Sequence, residues 1–285
     1  MTHPGELLKR EKLYAGKELG QNFLSDPGTA RMIVGRTGIT KDTRVLEVGP
    51  GLGALTIPLS GQAGQVVAVE KDWKIIPILK EELALEGVSN VEILNQDILK
   101  TDIKEIAAKG GEDQKIVVMG NLPYNISSQI LFRLVKARSV VQTAFLMFQK
   151  ELATRLVASP GGRDYSRLSA VVQYAAKVNH VVDISPNSFF PRPAVHSTVL
   201  KFEFFGSQGL SEEKEDFLFA VIKAAFSKRR KTLRNSMAGG ELGLEKSETG
   251  DVLVRAGIDP VRRAETLTIE EFKSLGDAVW LMKQE

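Results

Sequence analysis

The sequence contains no cysteine. Disulfides and thiolate metal sites are therefore excluded, and a reducing, cytoplasmic setting is the expectation. Histidine is nearly as scarce. His3, His180 and His196 are the whole complement, none of them at metal-ligand spacing from another, so no metal is expected. No apolar run approaches the roughly 20 residues that a bilayer-spanning helix needs. The stretch from Met1 to Gly20 is polar and mixed in charge, without the apolar centre of a secretory signal. Charge of one sign does not dominate either. The 38 Lys and Arg against 35 Asp and Glu leave a net +3, so any role for positive charge must come from clustering rather than from the total. What is present is the composition of a soluble globular protein, 43% hydrophobic and 26% charged over 285 residues. That length allows a large domain with a smaller one beside it.

Short apolar runs alternate with helical patterns from about residue 44 to 150. Val45–Val48, Val66–Val69, Val91–Leu94, Ile116–Met119 and Ala144–Phe148 read as strands, with helices such as Trp73–Leu85 and Ser127–Val135 between them. This alternation predicts an α/β doubly wound sheet. After Ser159–Asp164, expected as a loop, comes a helix near Leu168–Ala176. Two further strands follow, Val178–Ile184 and Ser197–Phe205, flanking the Pro-rich turn Phe189-Phe190-Pro191-Arg192-Pro193. From Ser211 the periodicity is helical, with Phe217, Val221, Ala224 and Ala225 on one face. A boundary at 207 divides residues 1–207, with an N-terminal arm over 1–20, from a helical domain over 208–285.

Ligands in doubly wound sheets bind at the carboxyl ends of the strands. Gly49, Glu70, Asp97 and Asn121 follow four successive strands, so one site can collect them all. Glu47 to Gly53 joins a strand to a helix through Gly49, Gly51 and Gly53, which suits tight turns and close ligand approach. It also suits a plain strand-to-helix turn. Glu70 can accept both hydroxyl protons of a ribose. Asp97 can accept from an adenine amino group, or cap the turn that follows it. Together the three indicate an adenosine-containing cofactor. The spacing Gly-x-Gly-x-Gly, with an acid two residues ahead, leans toward S-adenosylmethionine rather than a nicotinamide dinucleotide.

Asn121-Leu122-Pro123-Tyr124 decides between them. An exocyclic adenine amine is a poor nucleophile because its lone pair is delocalised into the ring. Two acceptors on its N–H groups, the Asn121 side-chain oxygen and the Leu122 carbonyl, pull it toward tetrahedral geometry. Pro123 stiffens the turn, and Tyr124 offers a face on which an extruded base can stack. Catalysis is then mainly alignment. Phe189, held in a stiff Pro-flanked loop, is the candidate for the other face of the base. Burial in the core is the commoner fate of a phenylalanine.

Taken together, these residues resemble the ribosomal-RNA adenine dimethyltransferase family, in its small-subunit form. The resemblance starts at Gly20-Gln21-Asn22-Phe23-Leu24. It runs through Glu47–Gly53, Glu70, Gln96-Asp97, Asn121–Ser127 and Phe189–Pro193, and ends at Ala225–Asn235. It implies a Rossmann-like S-adenosylmethionine-dependent methyltransferase sheet with a small C-terminal helical domain. The substrate implied is two neighbouring adenosines in a hairpin loop near the 3′ end of 16S rRNA, each dimethylated at N6, within an assembling 30S subunit. Asn22 and Leu24 would cover the cofactor, Gly49 and Gly51 line it, Glu70 hold its ribose, Asp97 its adenine, and Asn121 the reacting amine. Phe190 departs from the pattern, since a smaller or polar residue often follows the loop aromatic, and it stands as the second candidate for the stacking ring. Lys228, Arg229, Arg230, Lys231 and Arg234 form a local basic cluster suited to RNA phosphates. Lys9–Lys12 and Arg163 are additional candidate contacts. A monomer without membrane association is expected. The rivals are a macrolide-resistance methyltransferase acting on the large subunit and a non-catalytic assembly or transcription factor on the same fold.

Overall fold

The computed structural model describes residues 2–14, 21–111, 115–206 and 209–284. In chain order its strands are β1 (Phe23–Leu24), β2 (Arg44–Val48), β3 (Gln65–Glu70), β4 (Val91–Asn95), β5 (Ile116–Asn121), β6 (Val141–Gln149), β7 (Ala176–Ile184), β8 (Phe189–Phe190) and β9 (Ser197–Phe204). The helices are α1 (Pro4–Arg10), α2 (Pro27–Gly35), α3 (Thr56–Gln62), α4 (Ile76–Leu85), α5 (Ile103–Ala108), α6 (Ser127–Lys136), α7 (Lys150–Val157), α8 (Arg167–Ala175), α9 (Glu212–Ala225), α10 (Leu233–Met237), α11 (Lys246–Arg255) and α12 (Ile269–Met282). None of the described helices is long and apolar enough to cross a membrane.

The chain divides into two compact units, Met1–Ala153 with Ala176–Gly206, and Thr154–Ala175 with Ser207–Glu285. The first holds a seven-stranded sheet in the order β4-β3-β2-β5-β6-β9-β7. Neighbours from β4 to β6 run parallel, and β9 is antiparallel to both β6 and β7. The parallel strands are mostly apolar, as expected where a parallel sheet is covered on both faces, and β2 is buried at every position, Arg44 and Glu47 included. The order reverses between β2 and β5. In such sheets that reversal opens a crevice beyond the strand ends. Val48 pairs with Gly120 across it, so Gly49 and Asn121 leave the sheet side by side.

Two small features sit beside the sheet. The two-residue ladder β1-β8 pairs Phe23 with Phe190 and Leu24 with Phe189. The N-terminal helix α1 buries Leu7 and Leu8 in a cluster with Phe23, Leu52, Ile75 and Ile78. Just ahead of it, the Thr2 amide and hydroxyl each donate to the buried Glu82 carboxylate at 2.8 Å. Residues 15–20 of the expected arm, Gly20 of the Gly20–Leu24 motif among them, lie outside the described residues.

The second unit is helical. Ser211 caps α9, and a capping box of Thr268 and Glu271 opens α12. These are the residue types that satisfy orphan amides at a helix start. The buried face of α9 is Leu218, Phe219, Val221, Ile222, Ala224 and Ala225. Phe217 is only half-buried and meets Trp280 edge-on at 5.1 Å. The single cut at 207 differs from this division. Residues 154–175 pack with the C-terminal helices: Tyr174 meets Phe219 at 5.6 Å and donates to Glu215, and Tyr165 meets Phe226 at 6.2 Å. Residues 207 and 208, where the cut was placed, lie outside the described residues.

Candidate active site

One cavity of about 180 Å³ opens at the carboxyl ends of β2, β3 and β5. Its walls come from Asn22–Leu24, the turn after β2, Glu70 and Lys71, Gln96–Ile98, and Asn121–Ile126, with Thr2 and Pro4 of the N-terminal segment. Asn22, Leu24, Gly49, Gly51, Glu70, Asp97, Asn121, Leu122 and Tyr124 all line it.

The turn after β2 needs glycine at Gly49 and Gly51, whose φ angles are +67° and +57°. At Gly51 there is a second constraint, since a Cβ would sit 3.1 Å from the Phe23 ring. The turn is tied to its neighbours. The Gly49 amide donates to the Val69 carbonyl at 3.0 Å, and the Gly51 amide donates to Glu70 Oε2 at 3.2 Å. The other Glu70 oxygen accepts from the Asp72 amide at 2.8 Å. Burial raises the Glu70 carboxyl above its usual range, against the lowering effect of these amides. Both oxygens are therefore fixed at the cavity wall at the end of β3.

Asp97 does two things at once. Its Oδ1 accepts from the Leu99 amide at 2.9 Å, which caps the following turn, and its Oδ2 pairs with Lys71 Nζ at 2.9 Å. The Lys71 hydrogen bond holds its carboxyl below the usual range. Lys71 is 60% exposed, and an exposed pair of this kind opens at little cost, so Oδ2 can exchange the lysine for another donor.

Asn121 ends β5 with its side chain oriented. Its Nδ2 donates to the Asn22 carbonyl at 2.9 Å. A carbonyl accepts only, so the amide nitrogen must face it and Oδ1 must face away. That oxygen takes no hydrogen bond from the described residues. The tetrad is braced on both sides. The Leu122 amide donates to the Met147 carbonyl at 3.4 Å, while the Pro123 carbonyl accepts from the Ile126 amide at 3.2 Å and the Ser127 hydroxyl at 2.9 Å. Tyr124 is half-buried beside this turn.

Phe189 is not brought to the cavity. It is 4% exposed and packs in the sheet's core cluster with Leu24, Ile184 and Val199. The alternation of β8 turns Phe190 outward, 38% exposed, against the His3 ring at 5.6 Å. Neither phenylalanine offers a face to the cavity in this structure; the core claimed Phe189.

Four residues contribute in ways that escaped the sequence: the Asn22 carbonyl orients Asn121, Lys71 pairs with Asp97, and Thr2 and Pro4 form part of the wall, which Glu47 also lines. Backbone acceptors leave no trace in a sequence, and a lysine in a strand-end turn is ordinarily solvated. Glu47 did leave one, as the acid two residues before Gly49. It is 1% exposed, and its Oε2 has no hydrogen-bond partner among the described residues.

The five basic residues Lys228, Arg229, Arg230, Lys231 and Arg234 are all exposed, in and just after the turn between α9 and α10. Lys228 Nζ donates to the Asn235 carbonyl and Arg234 Nε to the Lys246 carbonyl. The side chains of Arg229, Arg230 and Lys231 make no hydrogen bond or ion pair to the described residues. Of the additional candidates, Arg10 is engaged with Glu11 and Glu81, while Arg163 is exposed in its loop.

Several known proteins are similar to this chain. A ribosomal RNA small subunit methyltransferase A of Desulforapulum autotrophicum is 57% identical over 282 residues, covering 99% of this chain and 98% of the relative. The protein of that name from Alkaliphilus oremlandii is 39% identical, covering 95% and 94%. Among solved structures, a dimethyladenosine transferase from Plasmodium falciparum superposes with a TM-score of 0.74 at 29% identity, over 89% of this chain and 95% of that one. The 23S rRNA methyltransferase ErmE shares the fold, with a TM-score of 0.64 at 24% identity over 90% and 99%. The family profile described as ribosomal RNA adenine dimethylase matches residues 14–275, and the chain belongs to that family.

Proposed function

We propose that this protein transfers methyl groups from S-adenosylmethionine to the N6 amines of two adjacent adenosines in a hairpin loop near the 3′ end of 16S rRNA. It would act as a cytoplasmic monomer on an assembling 30S subunit, dimethylating each adenosine. The feature that supports this best is the open Oδ1 of Asn121, turned away from Asn22 at the cavity wall.

The cavity fits the cofactor on its own chemistry. It joins apolar side chains such as Leu52, Ile75 and Ile98 to a pair of fixed Glu70 oxygens, a displaceable partner on Asp97, and the unpartnered buried oxygen of Glu47. Glu70 would hold the ribose hydroxyls and Asp97 the adenine amine. Gly49 and Gly51 would let the ligand approach the backbone, with Asn22 and Leu24 covering it. When bound, the sulfonium supplies an electrophilic methyl that needs no metal and no covalent enzyme intermediate.

The remaining work belongs to the chain. Asn121 Oδ1 and the Leu122 carbonyl accept from the two N–H groups of an extruded adenine and localise its lone pair. Tyr124 stacks on the base, a contact worth about 1–3 kcal/mol. The exposed Lys228–Arg234 cluster would take RNA phosphates. The stacking role expected of Phe189 would require it to leave the core, so Tyr124 carries the aromatic contact.

Mass spectrometry of rRNA from 30S and 50S precursors after reaction tests the proposal. Two adjacent dimethyladenosines in 16S rRNA are expected, and modification confined to 50S particles would overturn it. Asn121→Ala should keep cofactor affinity while kcat falls on the order of 100-fold, as when other transition-state hydrogen bonds are removed. Undiminished turnover would refute the role of Oδ1.

A further inference from the structure

We infer that Ser197 is a positioning residue for Tyr124, holding the far end of its ring in place so that the base meets a preset surface. This rests on the reading of Tyr124 as the ring that stacks on the adenine.

The turn that carries Tyr124 is pinned through the Pro123 carbonyl, but those bonds fix only the backbone. The side chain reaches away from the turn, and its hydroxyl shares a hydrogen bond of 3.3 Å with the Ser197 hydroxyl. Ser197 is fully buried and opens β9, where it is paired with Gln149 of β6 on one side and Ile184 of β7 on the other. The next residue, Thr198, is tied by its hydroxyl to Asp183 at 2.8 Å. The anchor therefore belongs to the sheet, while the ring belongs to the mouth of the cavity.

In tyrosine the Cβ, Cγ, Cζ and hydroxyl oxygen are collinear. Holding both ends of that line stops the ring from swinging about χ1, while rotation about the line itself stays free. The axis of the stacking surface is set before the base arrives, and the base then selects the tilt. A phenylalanine at this position would offer the same aromatic area without the fixed axis. The phenolic hydroxyl thus acts as a tether and takes no part in the methyl transfer. The pairing is mutual, because a buried serine hydroxyl without a partner is costly.

Single-turnover methylation of 30S precursors by Ser197→Ala, Tyr124→Phe and the double variant tests this, with calorimetric binding of S-adenosylhomocysteine alongside. Loss of one hydrogen bond should slow each single variant about fivefold. The double variant should be slowed by about the same factor, because both changes break the same contact. Affinity for S-adenosylhomocysteine should be unchanged throughout. A Ser197→Ala enzyme at full rate, or losses that multiply in the double variant, would overturn the inference. Should Ser197→Ala fail to fold, Tyr124→Phe decides alone, and a full rate there overturns it. Wild-type protein without adenine methylation would sink the proposed function itself; active wild-type with full-rate variants would sink only the tether.

Discussion

Glu47 stands near the end of β2, buried on every side, with one oxygen unpartnered at the wall of the cavity. Burial pushes its carboxyl up to about 8, and the charge of Glu70 adds to the rise. The neighbouring Thr56 hydroxyl opposes it only in part. In the unfolded chain the same group ionises near its ordinary value of 4.5. Between these values the unfolded state releases a proton that the folded state keeps. Stability therefore falls as the pH rises from about 4.5 to about 8, and the contribution levels off above that. Glu47→Gln preserves the shape and removes the titration. Its unfolding free energy in urea should vary less between about pH 5 and pH 8 than that of the wild type. At the higher pH it should exceed the wild-type value by about 1–3 kcal/mol, the usual scale for a buried polar group that is no longer forced to ionise. An identical pH dependence in the two proteins would show that another group titrates. The same orphaned oxygen makes functional sense, because a ligand donor can supply the partner that the fold withholds.

Among the elements, the junction of β2 and β5 governs the site. An added Cβ on Gly120 would lie 2.7 Å from the Val48 carbonyl, which is backbone and cannot step aside. Gly120→Ala must therefore part the two strands where Gly49 leaves one and Asn121 ends the other. A loss of about 1–3 kcal/mol is expected, on the scale of overpacked cores, together with slower turnover as Asn121 shifts from the Asn22 carbonyl. Thermal melts and single-turnover assays check both, and an unchanged Tm with wild-type turnover would mean that the strands tolerate the methyl. This junction was largely legible beforehand. Val66–Val69 and Ile116–Met119 are apolar without interruption, Val45–Val48 is broken only by Glu47, and each leads into a residue that lines the cavity, because parallel strands buried on both faces advertise themselves. The two-residue ladder β1-β8 was not legible. It has no period to detect, and its partners lie far apart in the chain. The side choice between Phe189 and Phe190 follows from that ladder, so the stacking assignment went with it. The helix read near Leu168–Ala176 is α8, Arg167–Ala175, but helical period carries no record of which unit a helix will pack against.

At the scale of the whole molecule, charge decides more by placement than by amount. A net +3 over 285 residues is too small to draw RNA by itself. The first unit holds the cavity, yet its acids and bases are extensively paired, as in Arg10 with Glu81, Lys71 with Asp97 and Lys150 with Asp183. In the second unit Lys223 pairs with Glu241 and Arg262 with Glu271, while Arg229, Arg230 and Lys231 stay exposed without partners among the described residues. These three cations face no competing carboxylate, so each phosphate they meet releases counterions in full. Replacing Arg229 and Arg230 together by alanine should flatten the slope of log K against log salt by about 1–2. The loss of affinity for 30S precursors should be largest at low salt, because each counterion that the variant no longer releases is worth most there. Affinity for S-adenosylhomocysteine should not change, since its cavity is built from the other unit. Filter binding across a salt series measures the slope. A double variant with the wild-type slope and affinity would place the RNA contact away from this turn, and the net charge would then leave Lys9, Lys12 and the Arg163 loop as the next cations to neutralise.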